Sequence, residues 1–163
     1  MQKIKNNSNM INQKIFDILN THNENVFTCE SFTLGKLGYC IGIVPGSSKT
    51  FYGSMCIYQK NFKNTTLNNQ SINVYSQEYA QTIIKEIANQ VNCRFYISTT
   101  GNAGPISEKN NEIGKYYYAF YDRNKNQMNS FERKSYKNNR ESIINDAIEN
   151  ILNDFLIWLE KVI

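Results

Sequence analysis

The chain has 163 residues, 40% of them hydrophobic and 20% charged, with 2 prolines and 8 glycines. These values fit one compact domain (1–163) and exclude collagen-like, linker-like and strongly charged disordered classes. The net charge of +4 and pI near 8.8 invite a polynucleotide reading. The basic stretches Lys60 to Lys63 and Lys134 to Arg140, however, are short, interleaved with asparagine and diluted by Glu132 and Glu141. This pattern argues against a nucleic-acid partner and leaves an anionic small ligand open.

In chain order, Ile11, Ile15, Ile18 and Leu19 predict an amphipathic helix from about Asn9 to His22, behind a loose polar N-terminus over residues 1–10. Val26 to Cys29 reads as a strand, and Leu34 to Ile43 as a helix broken by Val44-Pro45-Gly46-Ser47-Ser48. Gly53 to Gln59 alternates like a strand, Lys60 to Leu67 forms a short helix or turn, and Asn68 to Asn73 is a polar spacer. Ser76 supplies an N-cap for a helix over Gln77 to Asn92, whose stripe is Tyr79, Ile83, Ile84, Ile87 and Val91. A strand from Arg94 to Thr99 runs into the loop Thr100 to Pro105, a position where open α/β sheets bind ligands. Gly114 to Asp122 and Met128 to Tyr136 predict a hairpin around Arg123 to Gln127. Asn138 or Asn139 caps a last helix carrying Ile143, Ile144, Ala147, Ile148, Ile151, Phe155 and Leu159. The expected fold is a three-layer α/β/α sandwich with a mixed, mostly parallel sheet.

No run nears the roughly 20 apolar residues that cross a bilayer, and no leader-like segment opens the chain, so the expectation is a soluble cytoplasmic protein without a membrane partner. Cys29, Cys40, Cys56 and Cys93 show no C-x-x-C spacing, and His22 stands apart from them; the expectation is four reduced thiols, no metal site and no cofactor. With His22 as the sole histidine, serine paired with lysine is the better nucleophilic system. Lysine serves as a general base only when neutral, which burial or nearby positive charge brings about. Ser48, Tyr58 and Lys63 offer one such set, with Lys63 in the first turn of a helix starting near Lys60. Their spacing alone also fits a turn serine, a core tyrosine and a surface lysine.

The ordered set Thr28-Cys29-Glu30-Ser31-Phe32-Thr33-Leu34-Gly35, Pro45-Gly46-Ser47-Ser48, Tyr58 with Lys63, and Thr100-Gly101-Asn102-Ala103-Gly104-Pro105 resembles the CinA C-terminal domain family, which includes nicotinamide-nucleotide amidohydrolases. The resemblance runs from about Val26 into the last helix and implies a stand-alone domain. It makes Ser48 the nucleophile, assisted by Tyr58 and Lys63, in hydrolysis of nicotinamide mononucleotide to nicotinate mononucleotide and ammonia. It also implies a homodimer or higher homo-oligomer. Candidate groups for the phosphorylated nucleotide substrate are Ser31, Thr33, Gly46, Ser47, Thr100, Gly101, Asn102, Ala103, Gly104 and Arg140. The sequence departs from the family at Phe32 and Leu34, in the loop 106–112 and at Ile144, where the family has a second arginine. The alternative reading is a degenerate relative that holds a nucleotide or protein partner without turnover.

Overall fold

A computed structural model of the protein describes residues 2–68, 71–107 and 111–163. The polar spacer and the loop 106–112 therefore lie partly outside the described residues. The elements are α1 (Gln2–Thr21), β1 (Val26–Glu30), α2 (Lys36–Gly42), β2 (Phe51–Cys56), α3 (Lys60–Thr66), α4 (Gln77–Ala88), β3 (Phe95–Gly101), β4 (Lys115–Asp122), β5 (Gln127–Lys134) and α5 (Arg140–Val162). A 3-10 turn over Ser47–Lys49 precedes β2.

The five strands form one sheet in the order β2-β1-β3-β4-β5. β1 pairs in parallel with β2 and β3, whereas β3/β4 and β4/β5 are antiparallel, so β4 alone runs against the rest. Helices α1, α2 and α5 cover one face through a core that includes Ile15, Leu37, Phe95, Phe120, Ile151 and Phe155. The opposite face packs against α4 through Phe27, Cys29, Ile83, Ile84, Ile87 and Tyr96. This is the three-layer α/β/α arrangement, and the stripes predicted for α1, α4 and α5 are buried in or packed against these two cores. Helix α5 is fixed at its start by Asn139, whose side chain accepts from Ser142 N while the Ser142 hydroxyl is 3.3 Å from Asn139 N.

Two local differences from expectation have physical causes. Helix α1 begins at Gln2, so much of the expected loose N-terminus is helical; once a helix is nucleated, each further residue adds a hydrogen bond for little ordering cost. Helix α2 starts only at Lys36, because Leu34 and Gly35 both adopt left-handed backbone (φ 56° and 82°) in the preceding turn.

The topology also creates a preferred place for a site. From β1 the chain crosses by α2 to β2 on one side, then returns by α3 and α4, over the opposite face, to β3 on the other side. The carboxyl ends of β1 and β3 thus diverge into a crevice at a topological switch point.

Candidate functional site

Ser31 follows the last residue of β1 and sits in that crevice, its backbone N–H 3.4 Å from Thr99 Oγ1 of β3. Along β1, Phe27 and Cys29 face α4 while Val26 packs on the other side. Strand alternation carries Ser31 to the α4 face. Its hydroxyl, and the backbone N–H groups of Phe32 and Thr33 beside it, have no hydrogen-bond partner among the described residues.

Glu30, 1% exposed, organises the turn that presents Ser31. Its Oε1 accepts from Gly38 N at 2.7 Å and from the Thr28 and Ser54 hydroxyls, and its Oε2 accepts from Leu37 N at 3.0 Å and the Thr33 hydroxyl at 2.7 Å. One carboxylate therefore satisfies the first free N–H groups of α2 and ties that helix to β1 and β2. The sequence reading gave Glu30 no role of its own, although a carboxylate closing a buried strand signals a charge needing partners.

Tyr58 and Lys63 leave the carboxyl end of β2 on the same edge, where Ile57 N donates to Glu30 O. Lys63 is 3% exposed and has no carboxylate partner among the described residues. Its ammonium lies over the rings of Tyr75 and Tyr79, 5.5 and 5.4 Å from their centroids. Burial lowers its pKa to about 8 from the ordinary 10.5, with Cys56 opposing the shift. Tyr58 is half exposed, and its hydroxyl accepts from Arg140 Nη2 at 2.7 Å while Arg140 Nη1 donates to Gly104 O at 2.7 Å. Arg140, the first residue of α5, thus joins the β2 end to the loop after β3, with no carboxylate partner of its own among the described residues.

Ser48 is not part of this group. Its 3-10 turn precedes β2, and Thr50 O accepts from Val26 N at the start of β1, which places Gly46, Ser47 and Ser48 at the opposite edge of the sheet. Strand β2 has six residues, and at about 3.3 Å per residue its two ends are about 17 Å apart. A hydroxyl at one end cannot exchange a proton with an amine beyond the other, so the expected Ser48–Tyr58–Lys63 set is corrected: Tyr58 and Lys63 share an edge with Ser31. Ser47 instead donates to Gly42 O at 2.6 Å, closing the turn.

Other expected ligand groups have structural partners. Thr33 is buried between Glu30 and Thr99, and the buried Thr100 donates to Val74 O. Asn102 folds its own loop by accepting from Gly104 N and donating to Ile106 O and Asn111 O. Ala103 lies in the core, and Gly101 leaves no room for a side chain, because a Cβ there would stand 2.6 Å from Tyr116 Cβ. Gly104 (φ 76°) presents its carbonyl to Arg140. Of the departures from the family pattern, Phe32 turns into the core against Tyr116, with ring centroids 5.7 Å apart, and Ile144 is buried there too; Leu34 stays half exposed.

Among the described residues no group of three or more His, Cys, Asp or Glu is placed to hold a metal ion. No helix among them is long and apolar enough to cross a membrane. The four cysteines are free; Cys29 and Cys93 are buried, and desolvation raises both thiols, that of Cys93 to about 12.

A family model for the CinA C-terminal domain matches residues 8–159. Protein MG115 of Mycoplasma genitalium is 30% identical over 84% of this chain and 89% of its own length. A CinA-like protein of Flavobacterium psychrophilum is 35% identical over 58% of this chain; the chain spans only 24% of that protein. Among solved structures, the competence damage-inducible protein A of Klebsiella pneumoniae superposes with a TM-score of 0.88 at 15% identity, covering 96% of this chain and 99% of that one. The competence/damage inducible protein CihA of Agrobacterium tumefaciens does so at 0.85 and 20% identity, over 94% and 95% of the two chains. At these identities the superpositions speak for the fold.

Proposed function

The chain belongs to the CinA C-terminal domain family, and on that footing we propose that it hydrolyses the carboxamide of a pyridine mononucleotide, nicotinamide mononucleotide in the first instance, with Ser31 as nucleophile. The observation that carries this reading is the buried Lys63 on the same sheet edge as the Ser31 hydroxyl, the first without a carboxylate partner and the second without a hydrogen bond among the described residues.

Neutral Lys63 takes the Ser31 proton, directly or relayed by Tyr58, as the serine oxygen attacks the carboxamide carbon. The backbone N–H groups of Phe32 and Thr33 are the free donors for the developing oxyanion. Collapse of the tetrahedral intermediate returns the proton from Lys63 to the departing nitrogen, releasing ammonia and leaving an ester on Ser31. Water, deprotonated by the same amine, cleaves that ester to nicotinate mononucleotide and restores Ser31. Arg140 supplies a fixed positive charge for the phosphate and, through its bond to the Tyr58 oxygen, leaves the tyrosine proton pointing elsewhere.

The test is ammonia release from nicotinamide mononucleotide by the purified protein. Because the amine must be neutral, kcat/KM is expected to rise with pH on an acid limb centred at about 8, about tenfold per unit below it. Lys63→Met should remove this limb together with the activity. A profile flat from about pH 6 to 9 would refute Lys63 as the base. The half-exposed Leu34 beside Ser31 favours a second reading, a nucleotide-binding relative without turnover. Thermal stabilisation by the nucleotide with no ammonia released would select it.

A further inference from the structure

We propose that Tyr75 and Tyr79 are positioning residues for Lys63, a two-ring cradle that fixes the amine and, through Tyr75, walls it off from the water of the neighbouring cleft. The proposal rests on Lys63 acting as the base of the reaction described above.

The two rings come from different places, Tyr75 from the segment before α4 and Tyr79 from the first turns of that helix. Ser76, between them, caps α4 by accepting from Tyr79 N at 3.1 Å, and Asn73 Oδ1 accepts from Tyr75 N at 3.0 Å, so the backbone of both tyrosines is held. Ring centroids 5.5 and 5.4 Å from Nζ are within cation–π range. Such faces are the only compensation the cradle offers a charged amine, because the group lacks an ion-pair partner among the described residues. Of the titratable groups around it, Cys56 of β2 raises its pKa, Glu30 and Cys29 of β1 lie beyond Cys56 and Tyr79, and the tyrosines complete the set. None of them offsets the desolvation that makes the amine a base near neutrality.

Tyr75 does a second thing. It lines an open polar cleft of about 490 Å³, together with Asn73, Ser107, Asn111, Lys115 and Tyr117, and Lys63 is not among the cleft's lining residues. Tyr75 is therefore common to the wet cleft and the dry amine. Removing its ring joins the two and rehydrates the ammonium.

The experiment is an NMR titration of the Lys63 side chain, its Cε and ζ-amine signals assigned by comparison with Lys63→Met, in the wild type, Tyr75→Ala, Tyr75→Phe and Tyr79→Phe. Tyr75 is partly buried and packs on the rim of the α4-side core rather than within it, and the two phenylalanine variants keep the rings. The expected result is a pKa near 8 in the wild type and both phenylalanine variants. In Tyr75→Ala it should rise by at least about one unit toward 10.5, each unit removing about tenfold of the neutral amine at pH 7. The acid limb of kcat should move by the same amount, with KM changed far less. An unshifted Lys63 in Tyr75→Ala overturns the cradle. A shifted Lys63 in a protein that releases no ammonia upholds the cradle and overturns the hydrolase reading, so the two failures are distinct.

Discussion

Ser31→Ala is expected to lower ammonia release from nicotinamide mononucleotide by about 10⁴-fold or more, while Ser48→Ala keeps it within about twofold of wild type. The contrast follows from strand direction. Both serines sit in tight turns next to strands, but Ser31 lies past the carboxyl end of β1 and Ser48 before the amino end of β2. Parallel pairing of β1 with β2 then sends them to opposite edges of the sheet. Only Ser31 shares an edge with Tyr58, Lys63 and Arg140. Trapping the ester intermediate and locating it by mass spectrometry gives the same answer without a rate. An ester on Ser48, or an inactive Ser48→Ala beside an active Ser31→Ala, would reverse the assignment.

Glu30→Gln is expected to destabilise the fold by about 3 kcal/mol, seen as a fall of about 6–12 °C in Tm and a lower urea midpoint. The carboxylate is 1% exposed and accepts on both oxygens, from Gly38 N on Oε1 and Leu37 N on Oε2. An amide has one accepting oxygen, so whichever way it turns, a backbone N–H of α2 meets an NH₂ group. The Thr33 or the Ser54 hydroxyl loses its acceptor as well. Leaving a buried donor unpaired costs more than an average hydrogen bond contributes. Since α2 and the turn 31–35 are tied to the same carboxylate, activity should fall along with stability. A Tm within about 2 °C of wild type would mean that the network is dispensable.

The elements were readable because their apolar stripes are strong: Ile83, Ile84 and Ile87 in α4, and Ile143 to Leu159 in α5, have one face to bury and little choice of partner. The hairpin was readable from two β-prone runs around a polar turn, and the register pairs Asp122 with Gln127 across it. The identity of the serine was not, because local pattern does not say which edge a turn will occupy; that depends on β1 lying between β2 and β3. The rule that ligands gather at carboxyl ends of strands was used for the loop after β3 and, applied to β1, points to Ser31. The burial of Lys63 was equally hidden. Its place in the first turn of a helix was expected to help lower its pKa, whereas desolvation is the main cause, and the rings over the amine include a Tyr79 that reads as one more core residue of the α4 stripe. Leu34 in left-handed backbone breaks a local rule in the turn beside Ser31, where sequence reasoning alone would place glycine.

An amine that is easily deprotonated in the fold and ordinary in the unfolded chain couples folding to proton release. Below pH 8 both states hold the Lys63 proton and the fold bears the whole desolvation penalty; between pH 8 and 10.5 the unfolded chain binds it more strongly, so Lys63 makes the fold more stable as pH rises. The penalty is about 3 kcal/mol at neutral pH, and about 1 kcal/mol of it should be relieved between pH 7 and 9. Lys63→Met should therefore unfold at higher urea than wild type at pH 7, with the gap narrowing at pH 9 as other groups cancel in the comparison. A gap that stays constant or widens would contradict a lowered amine. The proposed base thus leaves a thermodynamic signature that can be read with no substrate in the tube.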